Sequence, residues 1–301
     1  MASDFGKFKP LRLSTGANHF QDADSISLLP ASGSTQIQEI TDRAFIRTYD
    51  RDRVLIIGDA EVAAAGGLIR MNGTFSDNLD RVASMFALLG NNLGPSASYK
   101  LTLWDQATAT VYETPVTPLA DLIPLGLWAA GVDAYGGAIL QQNSTPLIQY
   151  FSPVVFRSWM LEIFLPLSSP QDPTSFQLST AFLGEYISPS HNFVHSGNQF
   201  QFQANPPELV QVESGRNRHR SSEIESKACS LNIARMDDND TDLLQQHRRD
   251  HRSRTFMVIP YPEETKNVYA ERSFAGIYSN VDGFAHNRYL NHATSIEFIE
   301  S

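Results

Sequence analysis

The sequence contains a single cysteine, Cys229, and that scarcity excludes any intrachain disulfide. Basic residues are also short: 23 Lys and Arg stand against 33 Asp and Glu, a formal net charge of −10 with a pI near 5.2. Such a balance opposes non-specific nucleic-acid binding, which needs a basic surface to release counterions. No apolar run reaches 18 residues and mean hydropathy is −0.25, so no membrane span is expected. The start of the chain carries Lys7, Lys9 and Arg12 with no apolar stretch behind them, and no secretory signal is expected. The glycine patterns of dinucleotide and phosphate loops and the G-x-S-x-G element are all missing, which removes the commonest nucleotide and hydrolase signatures.

What is present is strand periodicity. In Phe156 to Leu165, Arg157, Trp159, Leu161, Ile163 and Leu165 alternate with Phe156, Ser158, Met160, Glu162 and Phe164. This is the pattern of a strand half-buried against a core. A polar turn with two prolines, Ser168 to Pro173, leads to a second apolar run, Phe176 to Ser188. Ser98 to Asp105 alternates in the same way, with Tyr99, Leu101 and Leu103 on one face and Lys100, Thr102 and Trp104 on the other. Val54 to Ile57 is β-branched and short; Asp80 to Leu89 fits either helix or strand. Asn72-Gly73 predicts a hairpin turn.

A polar stretch with Pro206-Pro207 separates these runs from a second series of strands at 209–213, 223–234, 255–260, 268–278 and 293–300. Within that series Asp240 or Thr241 is expected to cap a helix running through Leu243, Leu244 and His247 to about Arg252. Its acidic start and basic end (Arg248, Arg249, Arg252) suit the helix dipole.

Candidate chemistry is thin. His247 and His251 have the i, i+4 spacing of zinc ligands, but Arg248 and Arg249 between them repel a cation, so exposed helix histidines are expected. Asp238-Asn239-Asp240-Thr241-Asp242 resembles the start of a calcium loop, yet Leu243 and Arg249 stand where glycine and glutamate are required. Cys229, in a β-like run, reads as a buried thiol rather than a nucleophile. The three tryptophans Trp104, Trp128 and Trp159 suit a sandwich core, or, for Trp104 and Trp128, contact with a glycan. No cofactor, metal or enzymatic activity is expected.

Two passages resemble bacteriophage tail-tip or baseplate proteins that carry a galactose-binding-like (discoidin-type) jelly roll. One is Phe86 to Leu93 followed by Ala97 to Leu101, where the resemblance implies that Asn92 bridges a strand end and Leu93 plugs the core. The other is Phe156 to Ile163 with Phe182 to Pro189, in which Trp159 and Gly184 fall at the expected places; the run Thr180 to Gly184 lacks the arginine-led close common in that family. Phe256 to Pro260, Tyr269 to Tyr278 and Ser295 to Glu300 are similar to the ends of such proteins. The resemblance implies a mainly β fold: a jelly-roll β-sandwich over 50–190 and a second, tail-tube-like β-sandwich unit with one flanking α-helix over 200–301. Residues 1–49 would form an arm and strands completing the C-terminal unit. It further implies a distal tail protein that is structural and not an enzyme, assembling with itself in a symmetric ring in the virion after synthesis in the bacterial cytoplasm. Other tail and baseplate proteins would be its partners, with no nucleic acid. The alternative is a carbohydrate-binding module recognising host surface glycans, a role tied to host attachment.

Overall fold

A computed structural model of the chain describes residues 11–15, 17–23, 25–30, 55–58, 62–63, 65–77, 79–93, 97–105, 109–118, 147–165, 175–190, 199–204, 208–211, 217–220, 225–252, 254–262, 272–281, 285–288 and 291–300. Trp128 and the Ser168–Pro173 turn lie outside them. In chain order the first strands are β1 (Arg12–Thr15), β2 (Ser25–Pro30), β3 (Leu55–Ile57), β4 (Leu68–Thr74), β5 (Arg81–Asn91) and β6 (Ser98–Trp104), with a short helix α1 (His19–Asp22) after β1. Next come β7 (Thr110–Glu113), β8 (Thr117–Pro118), β9 (Leu147–Phe156), β10 (Ser158–Phe164) and β11 (Phe176–Ile187). Then follow β12 (Gln199–Ala204), β13 (Glu208–Gln211), β14 (Asn217–Arg220) and β15 (Glu225–Met236). Helix α2 (Asp238–Asp250) precedes β16 (Phe256–Ile259), β17 (Phe274–Val281), β18 (Ala285–Arg288) and β19 (Asn291–Glu300). The chain divides into two compact units, Thr15–Tyr186 with Glu263–Glu271, and Met1–Ser14 with Ile187–Pro262 and Arg272–Ser301.

In the first, the sandwich unit, one antiparallel sheet runs β2-β4-β10-β6-β7 with β8 on β6, and the other runs β11-β5-β9 with β3 on β11. The chain changes sheet between β2 and β3, β3 and β4, β4 and β5, β5 and β6, β8 and β9, β9 and β10, and β10 and β11. That wrapped path is a jelly roll, and the fold is mainly β as its periodicity demands. The two apolar runs of 156–165 and 176–188 are therefore not hairpin partners: β10 lies between β4 and β6, whereas β11 pairs with β5 and β3.

Inward-facing residues meet in one core. Trp159, Leu161 and Ile163 of β10 face Tyr99, Leu101 and Leu103 of β6 in register terms, and all are buried. Phe86, Phe156, Phe176 and Leu183 fill the opposite side. The Phe20 ring of α1 packs 4.1 Å from Trp159, centroid to centroid. Asn72-Gly73 makes no turn, because both residues sit inside β4, opposite Met160 and Trp159. A Cβ on Gly73 would run into the Trp159 indole, so glycine here makes room for a ring rather than for a bend.

Asparagines tie the ends of this unit. Asn92 accepts from the Gln177 N–H (2.8 Å) and donates to the Ser175 carbonyl (2.8 Å), and Leu93 beside it is buried. Asn18 caps α1 by accepting from Phe20 N–H, and its side-chain amide donates to Ala181 O on β11 at 2.9 Å. Gly184 lets the Ala17 carbonyl approach β11; a Cβ there would collide with it.

The second, terminal unit is built on a sheet ordered β12-β15-β19-β17-β16-β1, with β18 on β19. β13 and β14 pair with each other. Cys229, Leu231 and Ile233 of β15, Ile296 and Phe298 of β19, Phe256 and Val258 of β16, and Leu13 of β1 form its core, which α2 joins through Leu244. The cap of α2 is Asp237, not Asp240 or Thr241. Its extended backbone lets the carboxylate accept from Asp240 N–H at 2.7 Å. Asp240 instead accepts from the Ser190 N–H and hydroxyl, at 2.8 and 2.7 Å.

Candidate functional site

β9 and β10 are separated by one residue, Arg157, at which the chain turns from one sheet into the other. The corner is fixed from two sides. The Arg157 N–H donates to the Trp104 carbonyl at 2.6 Å, and its guanidinium Nε donates to Asp80 at 2.6 Å. Both partners of that ion pair remain substantially exposed, the side chains at 39% and 59%. Because Trp159, Leu161 and Ile163 take the core side of β10, Ser158 falls on its outer side.

Register then sets a row across the outer face at this end of the sheet: Thr74 on β4 opposite Ser158 on β10, Ser158 opposite Trp104 on β6, and Trp104 opposite Thr110 on β7. Trp104 and Ser158 are half-buried, Thr74 and Thr110 exposed. A register shift in the β6–β7 pairing between Leu103 and Trp104 leaves Val111 over as a bulge, 39% exposed. Bulges of this kind re-aim neighbouring side chains and collect beside binding sites. The result is three hydroxyls and an indole in line, with a carboxylate–guanidinium pair at the corner.

The same end of the unit carries a second charged group. Arg81 lies over the Phe75 ring, 3.6 Å from its centroid, and both its terminal nitrogens donate to Asp77 at 2.9 Å. The Arg81 hydrogen bonds hold the Asp77 carboxyl down to about 2, so it stays ionised at any ordinary pH. His19 stands edge-on to Phe75 and Phe156, and its Nε2–H donates to Val82 O at 3.0 Å. Burial lowers its pKa, which keeps the ring neutral. Farther along the outer face, register sets Arg70, Glu162 and Lys100 side by side, with Glu162 accepting from Arg70 at 2.7 Å and Lys100 paired to Glu113. Glu162 therefore serves the sheet, and Glu185 stands exposed on β11 in the other sheet.

The structure separates Trp104 from Trp159. Trp159 is wholly buried, Trp104 is in the row, and Trp128 is outside the described residues. The sequence passes over Ser158, Arg157 and Asp80 as site residues, since their meeting depends on a corner and on strand register. The only advance signal is Arg157 itself, a charged residue at the edge of the otherwise apolar face of the 156–165 run.

Other sequence candidates resolve as structural. His247 and His251 are not exposed: both are about 5% accessible, and their rings stack at 4.2 Å. His247 Nε2–H donates to Ser14 O (2.9 Å) and its Nδ1 accepts from the Tyr278 hydroxyl (2.7 Å), so neither nitrogen is left for a metal. Among the described residues no three His, Cys, Asp or Glu side chains cluster to hold a metal ion. Burial pushes the Cys229 thiol up to about 12, which leaves it protonated and inert. No described helix is long and apolar enough to cross a membrane.

No known protein-family profile matches the sequence, and no curated protein matches it. Solved structures similar in fold include chitosan-binding module 1 from a chitosanase/glucanase of Paenibacillus sp. IK-5, at 6% identity and TM-score 0.33, covering 56% of this chain and 98% of that one. Another is the CBM32-5 module of a Clostridium perfringens GH89 protein in complex with GalNAc-β-1,3-galactose, at 7% identity and TM-score 0.34, covering 56% and 99%. A Ruminococcus gnavus GH29 fucosidase in complex with fucose matches at 8% identity and TM-score 0.32, covering 58% and 28%. Likeness at this level is too slight to speak for function. None of the three is a phage tail or baseplate protein.

Proposed function

We propose that the sandwich unit is a non-catalytic carbohydrate-binding module that seats a neutral sugar against Trp104. The observation that carries this is the row Thr74–Ser158–Trp104–Thr110 beside the Arg157–Asp80 corner. An indole face covers the apolar C–H side of a pyranose, and flanking hydroxyls exchange hydrogen bonds with its hydroxyl groups. Asp80 adds acceptors and Arg157 adds donors, while their pairing leaves the corner without net charge. Nothing in the described residues carries the ring assembly or virion partners expected from the sequence resemblance.

The test is a broad glycan array followed by calorimetry on the hits, with the full chain and its Trp104→Ala variant. Wild-type binding to a neutral glycan, weakened about tenfold or more in the variant with an unchanged melting temperature, supports the module. Silence of the wild type across the array, or full binding by the variant, removes it.

A further inference from the structure

The outer face of the terminal sheet carries a shallow groove of about 130 Å³ formed by β12, β15, β17 and β19. Cross-strand register aligns Gln199, Ser230 and Glu297 along it. Ala228 and Ile299, opposite one another on β15 and β19, form an apolar strip beside that polar line. The β17–β19 ladder slips between Tyr278 and Asn280, and the residue left over, Ser279, brings a third hydroxyl or amide group to the rim. Glu297 is exposed and makes no hydrogen bond or ion pair among the described residues, and no lysine or arginine lines the groove.

We infer that this groove is a second binding site, for an amino sugar with a free amine. A lone carboxylate without a counter-ion takes a cation, and the charge-assisted hydrogen bond to an ammonium is the strong kind. The hydroxyls and the Gln199 amide meet the ring hydroxyls, while Ala228 and Ile299 receive the C–H face. Ordinary ligand pockets run to about 300–1,000 Å³, so a groove this small holds one ring, not a chain lying deep. The net charge of −10 favours approach of a cationic saccharide. This site lies in the other unit from the Trp104 row and does not depend on it.

The experiment titrates the full chain with the tetrasaccharide of glucosamine and with its N-acetylated counterpart, following Ser230 and Glu297 amide resonances and heat. The expected result is that only the free amine form shifts these resonances and that Glu297→Gln weakens it about tenfold or more. Glu185→Gln, which removes an exposed carboxylate from the sandwich unit, leaves binding unchanged. Equal shifts of the Ser230 and Glu297 resonances with the N-acetylated form, equal losses in both variants, or unmoved resonances overturn the site, whereas heat from the N-acetylated form without those shifts belongs to the Trp104 row. Loss of neutral-glycan binding in Trp104→Ala leaves this result untouched, so the two proposals fail separately.

Discussion

At the residue scale, a tight constraint in the sandwich unit lies between Gly73 and Trp159. Gly73→Ala places a methyl group inside a fully buried indole that is itself pressed by Phe20. Overpacking of this sort costs about 1–3 kcal/mol. Urea unfolding checks it: the midpoint falls while the slope is unchanged. The burial of Trp159 is legible in the alternation of 156–165, since a two-residue period names the apolar face directly. The reason for Gly73 is not. Asn-Gly is a local turn signal, and only the register that sets Gly73 against Trp159, far along the chain, gives it another meaning.

At the element scale, the start of α2 rests on Asp237. Asp237→Ala removes the acceptor for Asp240 N–H and is expected to cost about 1 kcal/mol. A chemical melt of the terminal unit, compared with Asp242→Ala as a control outside the cap, measures it. Asn92→Ala cuts the two side-chain bonds that join the end of β5 to the start of β11 and leaves the backbone bond from Asn92 N–H to Gln177 O, with an expected loss of about 2 kcal/mol and faster exchange of the Gln177 amide. The helix itself is readable from its capped amphipathic pattern, but its first residue is not. Asp237, Asp238, Asp240 and Asp242 all offer caps, and only the extended backbone of Asp237 selects one. Burial of His247 was equally hidden, because the run Gln245 to Asp250 is polar throughout and its partners Ser14 and Tyr278 come from distant strands.

At the scale of the molecule, these buried histidines govern the response to acid. Burial lowers His247 from 6.5 to about 4, ahead of an opposing contribution from the Ser14 carbonyl. A histidine with a depressed folded pKa costs nothing above 6.5, where it is neutral in both states. As pH falls from 6.5 towards 4 the unfolded chain gains a proton that the folded chain refuses, and stability declines; below about 4 the loss is complete. The amount is about 3 kcal/mol for His247. His247→Gln keeps a donor for Ser14 O and does not titrate, so its stability between pH 7.5 and 4.5 is expected to fall by about that much less than the wild type's. Denaturation at a series of pH values decides it, and parallel curves would count against the assignment. The β class was visible throughout the sequence because strand periodicity is local. The candidate site was visible only in Trp104, since Arg157 and Asp80 meet at a one-residue corner, Thr74 and Ser158 join the row through pairing between distant strands, and Thr110 enters it through a register shift.

The late position of β10 has a consequence for how the protein is made. β4 and β6 are synthesised early, yet neither is a neighbour of the other; β10 is the strand that joins them. β5 likewise waits for β11. Until the ribosome has released residue 187, the nascent sandwich has apolar strand faces and open ladders with nothing to close them. Folding must then bring together partners separated by most of the unit, which makes it slow and leaves it exposed to aggregation on the way. A chain built in this order can pair β2 with β4, β6 with β7 and β5 with β9 early, but it depends on its last two strands to complete both sheets, and a chaperone that shields it until then would raise its yield.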